Sequence, residues 1–427
     1  MSATYSTTQI IHSFSFSVNS AGSLSFDNSS GEGFSTMQAY VTKVADGVLA
    51  DPTIQGLIGS DWQLVWGPVV FSNDTSGASV VADNTMACYY SPSNNLLVIP
   101  VAGTNPSSMF DWLSEDFSVR SLVSWSSITG AGSGNVSQGT ATGLQILLAM
   151  KDGSGNTLPE ALNAFLKSSS LTNATVAVAG HSLGGALSPA LALYLHDKRS
   201  TWDPTGTTAI SASPTAGPTP GDSGFASYYE GIISAGGVSY SSLYNNQDVV
   251  PLAWAPGDLA TIPSIYDANI TPVSGAVPAD LLTGAVASGL QINAAAAGSF
   301  SSNPYAQVST GRSALTGAFS TTTDTGAKFI LSAVTTSLTG TFATYQPYVE
   351  NLGRFAAQAI YQHTSAYPSL LGIGSFVSEY QSILQKNKPS SAQTTDDLRG
   401  AVKRLTGIDP GSAEDRAAAQ RRDAKKA

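Results

Sequence analysis

Residues Thr175 to Leu195 read TVAVAGHSLGGALSPALALYL, with Ser182 between Gly180 and Gly184. That spacing can present a serine hydroxyl as a nucleophile. Glycine is 41 of 427 residues, so G-x-S-x-G should arise by chance about half a time in such a chain, and the surroundings must decide. Thr175 to Ala179 is a short apolar run with Val176 and Val178, and reads as a buried strand. From Leu183 onward, Ala186, Leu187, Ala190, Leu191, Leu193 and Leu195 keep helical spacing, with Pro189 early enough to be tolerated or to kink the helix slightly. A serine in so tight a strand-to-helix turn has a strained backbone and an exposed hydroxyl, and the flanking glycines let strand and helix pass closely. An ordinary glycine-rich turn is the plainer alternative.

A serine nucleophile needs a base, and the base needs an acid to orient it; on such a sheet they follow in the order Ser, Asp or Glu, His. Four histidines are available. His12 precedes the serine, His181 sits inside the turn, and His196 lies 14 residues along the helix, about 21 Å away. His363 remains, at a helix-to-loop exit before Thr364 and Ser365. For the acid, VSYSSLYNNQDVVPLAW supplies a strand from Val238 to Tyr244 and a turn ending in Asp248. Asp258, Asp267, Asp280 and Asp324 have no strand before them, and Asp222 lies in a Pro/Gly loop.

These residues need a framework to hold them. Phe14, Phe16 and Val18 alternate with serines before NSAG, Leu24 and Phe26, which predicts a β-hairpin over residues 1–33. Met37 to Leu49 has helical spacing, Trp62 to Phe71 and Met86 to Tyr90 are strand-like, and LLVIPVAG from Leu96 is an apolar strand. Gly143 to Met150 and Leu158 to Leu166 read as helices, and Thr208 to Ser211 as a further strand. Strands alternating with helices give an α/β fold, a mainly parallel sheet with helices on both faces, here over residues 34–385. Residues 272–344 turn rich in Ala, Gly, Ser and Thr, as an inserted cap or a linker, before a patterned helix from Tyr348 to Tyr361.

The net charge of −10 is uneven. The tail, residues 386–427, holds 10 of the 19 basic and 6 of the 29 acidic residues, which leaves 9 and 23 before it, a net of −14. An acidic body disfavours nucleic acid as a partner. The tail reads as a solvated appendage or a binding arm. No apolar run approaches the roughly 20 residues that span a bilayer, and the N-terminus lacks a secretory signal pattern, so a soluble protein is expected, cytoplasmic or exported by a signal-independent route. The single cysteine, Cys88, cannot form an internal disulfide and reads as a core thiol. No ligand-spaced Cys/His/Asp cluster points to a metal, and no cofactor is implied.

Three motifs in order, Gly180-His181-Ser182-Leu183-Gly184-Gly185-Ala186, the N-x-x-D-x-V-P of Asn245 to Pro251, and LLVIPVAGT followed by Asp111-Trp112, resemble the class 3 (fungal-lipase-like) lipases of the α/β-hydrolase superfamily. The resemblance spans roughly Phe34 to Tyr266 and resumes near His363. It implies a serine carboxylic-ester hydrolase, foremost a triacylglycerol lipase, with Ser182, Asp248 and His363 catalytic and an oxyanion hole from Thr104 and Leu183. It also implies a lid, in which Met109, Phe110, Trp112, Leu113 and Phe117 would meet a lipid–water interface or an acyl chain; core packing is the other reading of that stripe. Two features depart from the family: Ala102 stands where it usually has arginine, and the stretch between Asp248 and His363 is longer, which bears on the pocket roof. Phospholipase A1, feruloyl esterase and other esterases share this constellation, and a catalytically inactive lipid-binding or interaction protein is the rival from another class. The sequence leaves oligomeric state open.

Overall fold

A computed structural model of the protein describes residues 3–103, 119, 121–266, 303–320, 355 and 358–394. Thirteen strands are described: β1 (Leu24–Asp27), β2 (Gln63–Phe71), β3 (Ser79–Val81), β4 (Asn84–Ser91), β5 (Leu96–Val101), β6 (Leu122–Ser124), β7 (Asn135–Ser137), β8 (Thr175–His181), β9 (Ala209–Thr215), β10 (Ser239–Tyr240), β11 (Ser242–Asn245), β12 (Arg312–Leu315) and β13 (Ala392–Thr394). The central sheet runs β12-β11-β9-β8-β5-β4-β2, with β10 beside β9. Pairing is parallel from β12 to β5 and antiparallel from β5 through β4 to β2. The expected mainly parallel α/β sheet is therefore present, with an antiparallel edge.

Every residue of β5 is buried, as in a strand covered on both faces. Its alternation divides the core in two. Leu97, Ile99 and Val101, with Val176 and Val178 of β8, pack against the helices Gln138–Ala149, Leu158–Ser168 and Leu183–Asp197. Leu96 and Val98, with Ala177 and Ala179, face the helices Thr7–Ser17, Gly33–Ala50 and Gly374–Asn387. Each such leucine, isoleucine or valine contributes roughly 1.5–3 kcal/mol on burial, so both layers hold the middle strands, and hence the ends that carry the site, in register.

The N-terminal hairpin expectation is corrected: residues Thr7–Ser17 form an α-helix, and only Leu24–Asp27 is a strand. The alternation of Phe14, Phe16 and Val18 has the period of a strand, but Ser6 and Gln9 form a capping box that starts a helix. Ser13 Oγ and Ser17 Oγ donate back to the carbonyls of Gln9 and Phe14, so two of the three interleaved serines are satisfied inside the helix, while the buried Ser15 Oγ meets no partner among the described residues. Phe14 stacks on Tyr89 of the sheet, 4.5 Å between ring centroids. Three further readings change. The strand expected over Val238 to Tyr244 is two short strands broken at Ser241. Of the insertion, the described part includes β12, which extends the central sheet beside β11 rather than capping it; the rest lies outside the described residues. The tail begins inside the fold, because Ala392–Thr394 pairs antiparallel with β1. Among the described residues no helix is long and apolar enough to cross a membrane.

His12, on the N-terminal helix, is only 1% exposed, and its Nδ1 meets no hydrogen-bond partner among the described residues. Burial pushes its pKa down from 6.5 to about 4. Above pH 6.5 the imidazole is neutral whether the chain is folded or not; below it the unfolded chain takes up a proton that the folded chain refuses until about pH 4. Stability should thus fall as pH drops through this window, by about 1.4 kcal/mol per pH unit and about 2 kcal/mol by pH 5. Urea unfolding of wild type and His12→Leu at pH 7 and pH 5 checks this: the variant should lose less stability by about that amount. Equal losses in the two proteins would contradict it.

Candidate active site

The parallel strands deliver their carboxyl ends to one edge, where ligands bind in open α/β sheets. β8 ends there in His181 and turns at once into the helix Leu183–Asp197. Ser182 takes φ 61°, ψ −124°, a conformation costly for any residue with a Cβ. Local contacts hold it: Ser182 N–H donates to Thr215 O at 3.1 Å, and Gly185 N–H to Ser182 O at 2.8 Å. The turn closes only because its neighbours lack side chains, since a Cβ on Gly180 would strike Gly184 O and one on Gly184 would strike Val101 O. Ser182 is half-buried, with its hydroxyl in a cavity. Leu183 opens the helix, where first-turn N–H groups have no intrahelical acceptor.

Asp248 follows β11 in a turn in which its own N–H donates to Asn245 O at 2.9 Å. Its side chain is almost wholly buried, 1% exposed. Oδ1 accepts from Val250 N–H at 3.0 Å, while Oδ2 accepts from the Tyr367 hydroxyl and from His363 Nδ1, each at 2.8 Å. Burial, and after it the charge of Asp248, hold the Tyr367 phenol well above its usual pKa, so it remains a donor. His363 ends the helical segment 358–363. Because the carboxylate only accepts, Nδ1 of His363 carries a proton, and Nε2, 2.8 Å from Ser182 Oγ, is left to accept the serine's hydrogen. Ser182, Asp248 and His363, chosen on order and elimination, are thus brought into one hydrogen-bonded chain. Thr104 and the stripe Met109, Phe110, Trp112, Leu113 and Phe117 lie outside the described residues.

His196 is at the far end of the helix, bonded through Nδ1 to Asp197 at 3.0 Å. His181 is not idle, although it cannot reach the neighbouring hydroxyl. Its Nε2 lies 2.8 Å from the backbone carbonyl of His363, and its Nδ1 lies 3.2 Å from Thr215 Oγ1. A carbonyl only accepts, so Nε2 of His181 bears the hydrogen and anchors the backbone of His363. Burial, reinforced by the nearby His363, keeps the His181 ring neutral well below its ordinary pKa. A second brace runs through Asn245, whose Nδ2 donates to Gln362 O at 3.0 Å and Gln362 Oε1 at 2.7 Å. Neither brace was found by sequence reasoning. The adjacency of His181 to Ser182 was its only signal, and Tyr367, four residues past His363, gave none until the chain was folded. Among the described residues no group of three or more His, Cys, Asp or Glu side chains could hold a metal ion.

Residues 98–256 match the family model for lipase (class 3). This segment is class 3 lipase sequence. It contains Ser182 and Asp248, while His363 lies beyond it. Among solved structures, the M37 lipase superposes with a TM-score of 0.65 at 24% identity, covering 90% of this chain and 99% of that one. A lipase from Rhizopus microsporus var. chinensis gives 0.37 at 18% identity over 58% of this chain and 70% of that one. The native Rhizomucor miehei lipase propeptide complex gives 0.37 at 20% identity over 57% and 61%. The first of these shares the fold, an α/β-hydrolase fold. No curated protein sequence matches the chain. With the family match, the chain is a carboxylic-ester hydrolase of the lipase type.

Proposed function

We propose that the protein cleaves lipid esters through an acyl-enzyme formed on Ser182. The observation that carries this is the unbroken chain from Ser182 Oγ to His363 Nε2 and from His363 Nδ1 to Asp248 Oδ2, 2.8 Å at each link. As Ser182 Oγ attacks the ester carbonyl, His363 Nε2 takes its proton, and buried Asp248 stabilises the resulting imidazolium and fixes its orientation. The oxyanion is met by the N–H of Leu183 and by Thr104, a role assigned from the family resemblance. His363 then returns the proton to the leaving alcohol oxygen, the C–O bond breaks, and water repeats the sequence to release the acid. The strained backbone of Ser182 supports this reading, since a serine that only filled a turn would have no need of it.

Within this class, triacylglycerol lipase is the reading we favour, with Met109, Phe110, Trp112, Leu113 and Phe117 as an apolar lid. A lipid surface can hold such a lid open only by binding the open state better, and burying two or three of these side chains is worth several kcal/mol at roughly 25 cal/mol per Å². Hydrolysis of a short-chain triglyceride should therefore rise sharply once droplets form, and Trp112→Ser should flatten that rise. A smooth saturation curve through the solubility limit in the wild type would make the protein an esterase without an interfacial lid.

A further inference from the structure

The brace through Asn245 continues into the fold as a ladder of amides. Asn245 Nδ2 donates to Gln362 Oε1 at 2.7 Å, and Gln362 Nε2 donates onward to Ala318 O at 2.7 Å and to Gln358 Oε1 at 3.2 Å. Gln358 grips the backbone of Ser320 from both ends, accepting from its N–H at 3.1 Å and donating to its O at 3.3 Å. The three amide side chains are fully buried. Their orientation is fixed by backbone groups, since carbonyls only accept and N–H groups only donate. Gln362 O and Ala318 O take the Nδ2 of Asn245 and the Nε2 of Gln362, the Gln247 N–H meets Asn245 Oδ1 at 3.0 Å, and Ser320 orients Gln358. The ladder joins three segments: the turn that carries Asp248, the helical segment 358–363 that ends in His363, and residues 318–320 just past β12. Of its members only Asn245 lies within the matched family segment.

We infer that Gln362 is a positioning residue for His363, and that the ladder sets the place of the imidazole between Ser182 Oγ and the departing alcohol oxygen. The inference rests on the acyl-transfer reading of Ser182 and His363. Gln362 directly precedes His363, and its own carbonyl takes the Asn245 amide at 3.0 Å in the last helical turn, where carbonyls have no intrahelical donor. Asn245 O also accepts the Asp248 N–H at 2.9 Å. One residue thus ties the backbone beside His363 to the turn that aims its carboxylate partner. Apolar contacts alone would not fix this spacing. Ala359 and Ile360 of the same segment pack in a cluster with Trp254 and Tyr266, and such packing is non-directional. Buried amides hold one arrangement, because a shift strands them without partners. His363 needs that precision because it works twice, taking a proton from Ser182 Oγ and handing it to an alcohol oxygen, and a misplacement of about 1 Å can cost about 100-fold.

Two butyrate esters separate positioning from stability. p-Nitrophenolate leaves without a proton, whereas butoxide needs one from His363, so a displaced imidazole should slow butyl butyrate more than p-nitrophenyl butyrate; a loss of folded protein would lower both alike. Gln362→Leu is expected to cut kcat/KM about 30-fold on butyl butyrate and about fivefold on the p-nitrophenyl ester. Gln358→Met, one turn further from the histidine, keeps the bonds of Gln362 to Asn245 and Ala318, and should shift the ratio about twofold in the same direction. It carries the test should Gln362→Leu fail to fold. In His363→Ala, adding Gln362→Leu should leave the residual rate within about twofold, because a residue that acts through the imidazole has nothing left to act on. A ratio unmoved in the folded variants, or a further fall of roughly tenfold in the His363→Ala background, would overturn the proposal. Fluorophosphonate labelling of the wild type tells the two levels apart. If Ser182 labels and both esters are cleaved but the ratio does not move in the variants, only this proposal falls; if Ser182 does not label and neither ester is cleaved, the acyl-transfer reading falls with it.

Discussion

Replacing Ser182 by alanine is expected to cut ester hydrolysis by roughly 10³-fold or more, since only the oxyanion hole and substrate binding remain to accelerate the reaction. The fold should survive. The hydroxyl projects into a cavity rather than the core, and the backbone bonds that hold the turn, Ser182 N–H to Thr215 O and Gly185 N–H to Ser182 O, do not involve the side chain. Circular dichroism and thermal unfolding beside initial rates on a soluble p-nitrophenyl ester check both halves. Activity within tenfold of wild type would remove Ser182 from the mechanism.

Much of this site could be read from the sequence because its residues carry local signatures. Ser182 stands between a short continuous apolar run and a helical one, and Asp248 follows a strand into an N-x-x-D turn. His363 was reached by elimination among four histidines. What could not be read depends on long-range packing. The hydrogen bonds of His181 to the His363 carbonyl and of Tyr367 to Asp248 join residues 182 and 119 apart in sequence, and no spacing rule reaches that far. The N-terminal helix is hidden in the sequence for a different reason. Serines alternate with aromatics there, but nearly every residue is buried on one side or another, so burial does not mark a single helical face and the capping box decides.

Removing the side chain of His363 is expected to be as damaging as removing the serine hydroxyl, whereas His196→Ala should leave kcat within about twofold, as expected of a residue distant from the reacting atoms. His196 is separated from Ser182 by the length of a 15-residue helix, about 20 Å. The His363 substitution should also be tolerated by the fold. His181 grips the backbone carbonyl of His363, which alanine retains, and Asp248 keeps the Val250 N–H and the Tyr367 hydroxyl after losing one donor. A stability cost of about 1–3 kcal/mol is expected from that lost bond to a buried carboxylate. Full activity in His363→Ala, or its loss in His196→Ala, would require a different base.

The central claim, that Ser182 is a nucleophile activated by His363, is tested most directly by locating the adduct of a fluorophosphonate on the intact protein by peptide mass spectrometry. The account predicts one adduct per chain, on the peptide containing Ser182, absent in Ser182→Ala and formed far more slowly in His363→Ala. No adduct on the wild type, or one that forms on another residue and persists in Ser182→Ala, would contradict it.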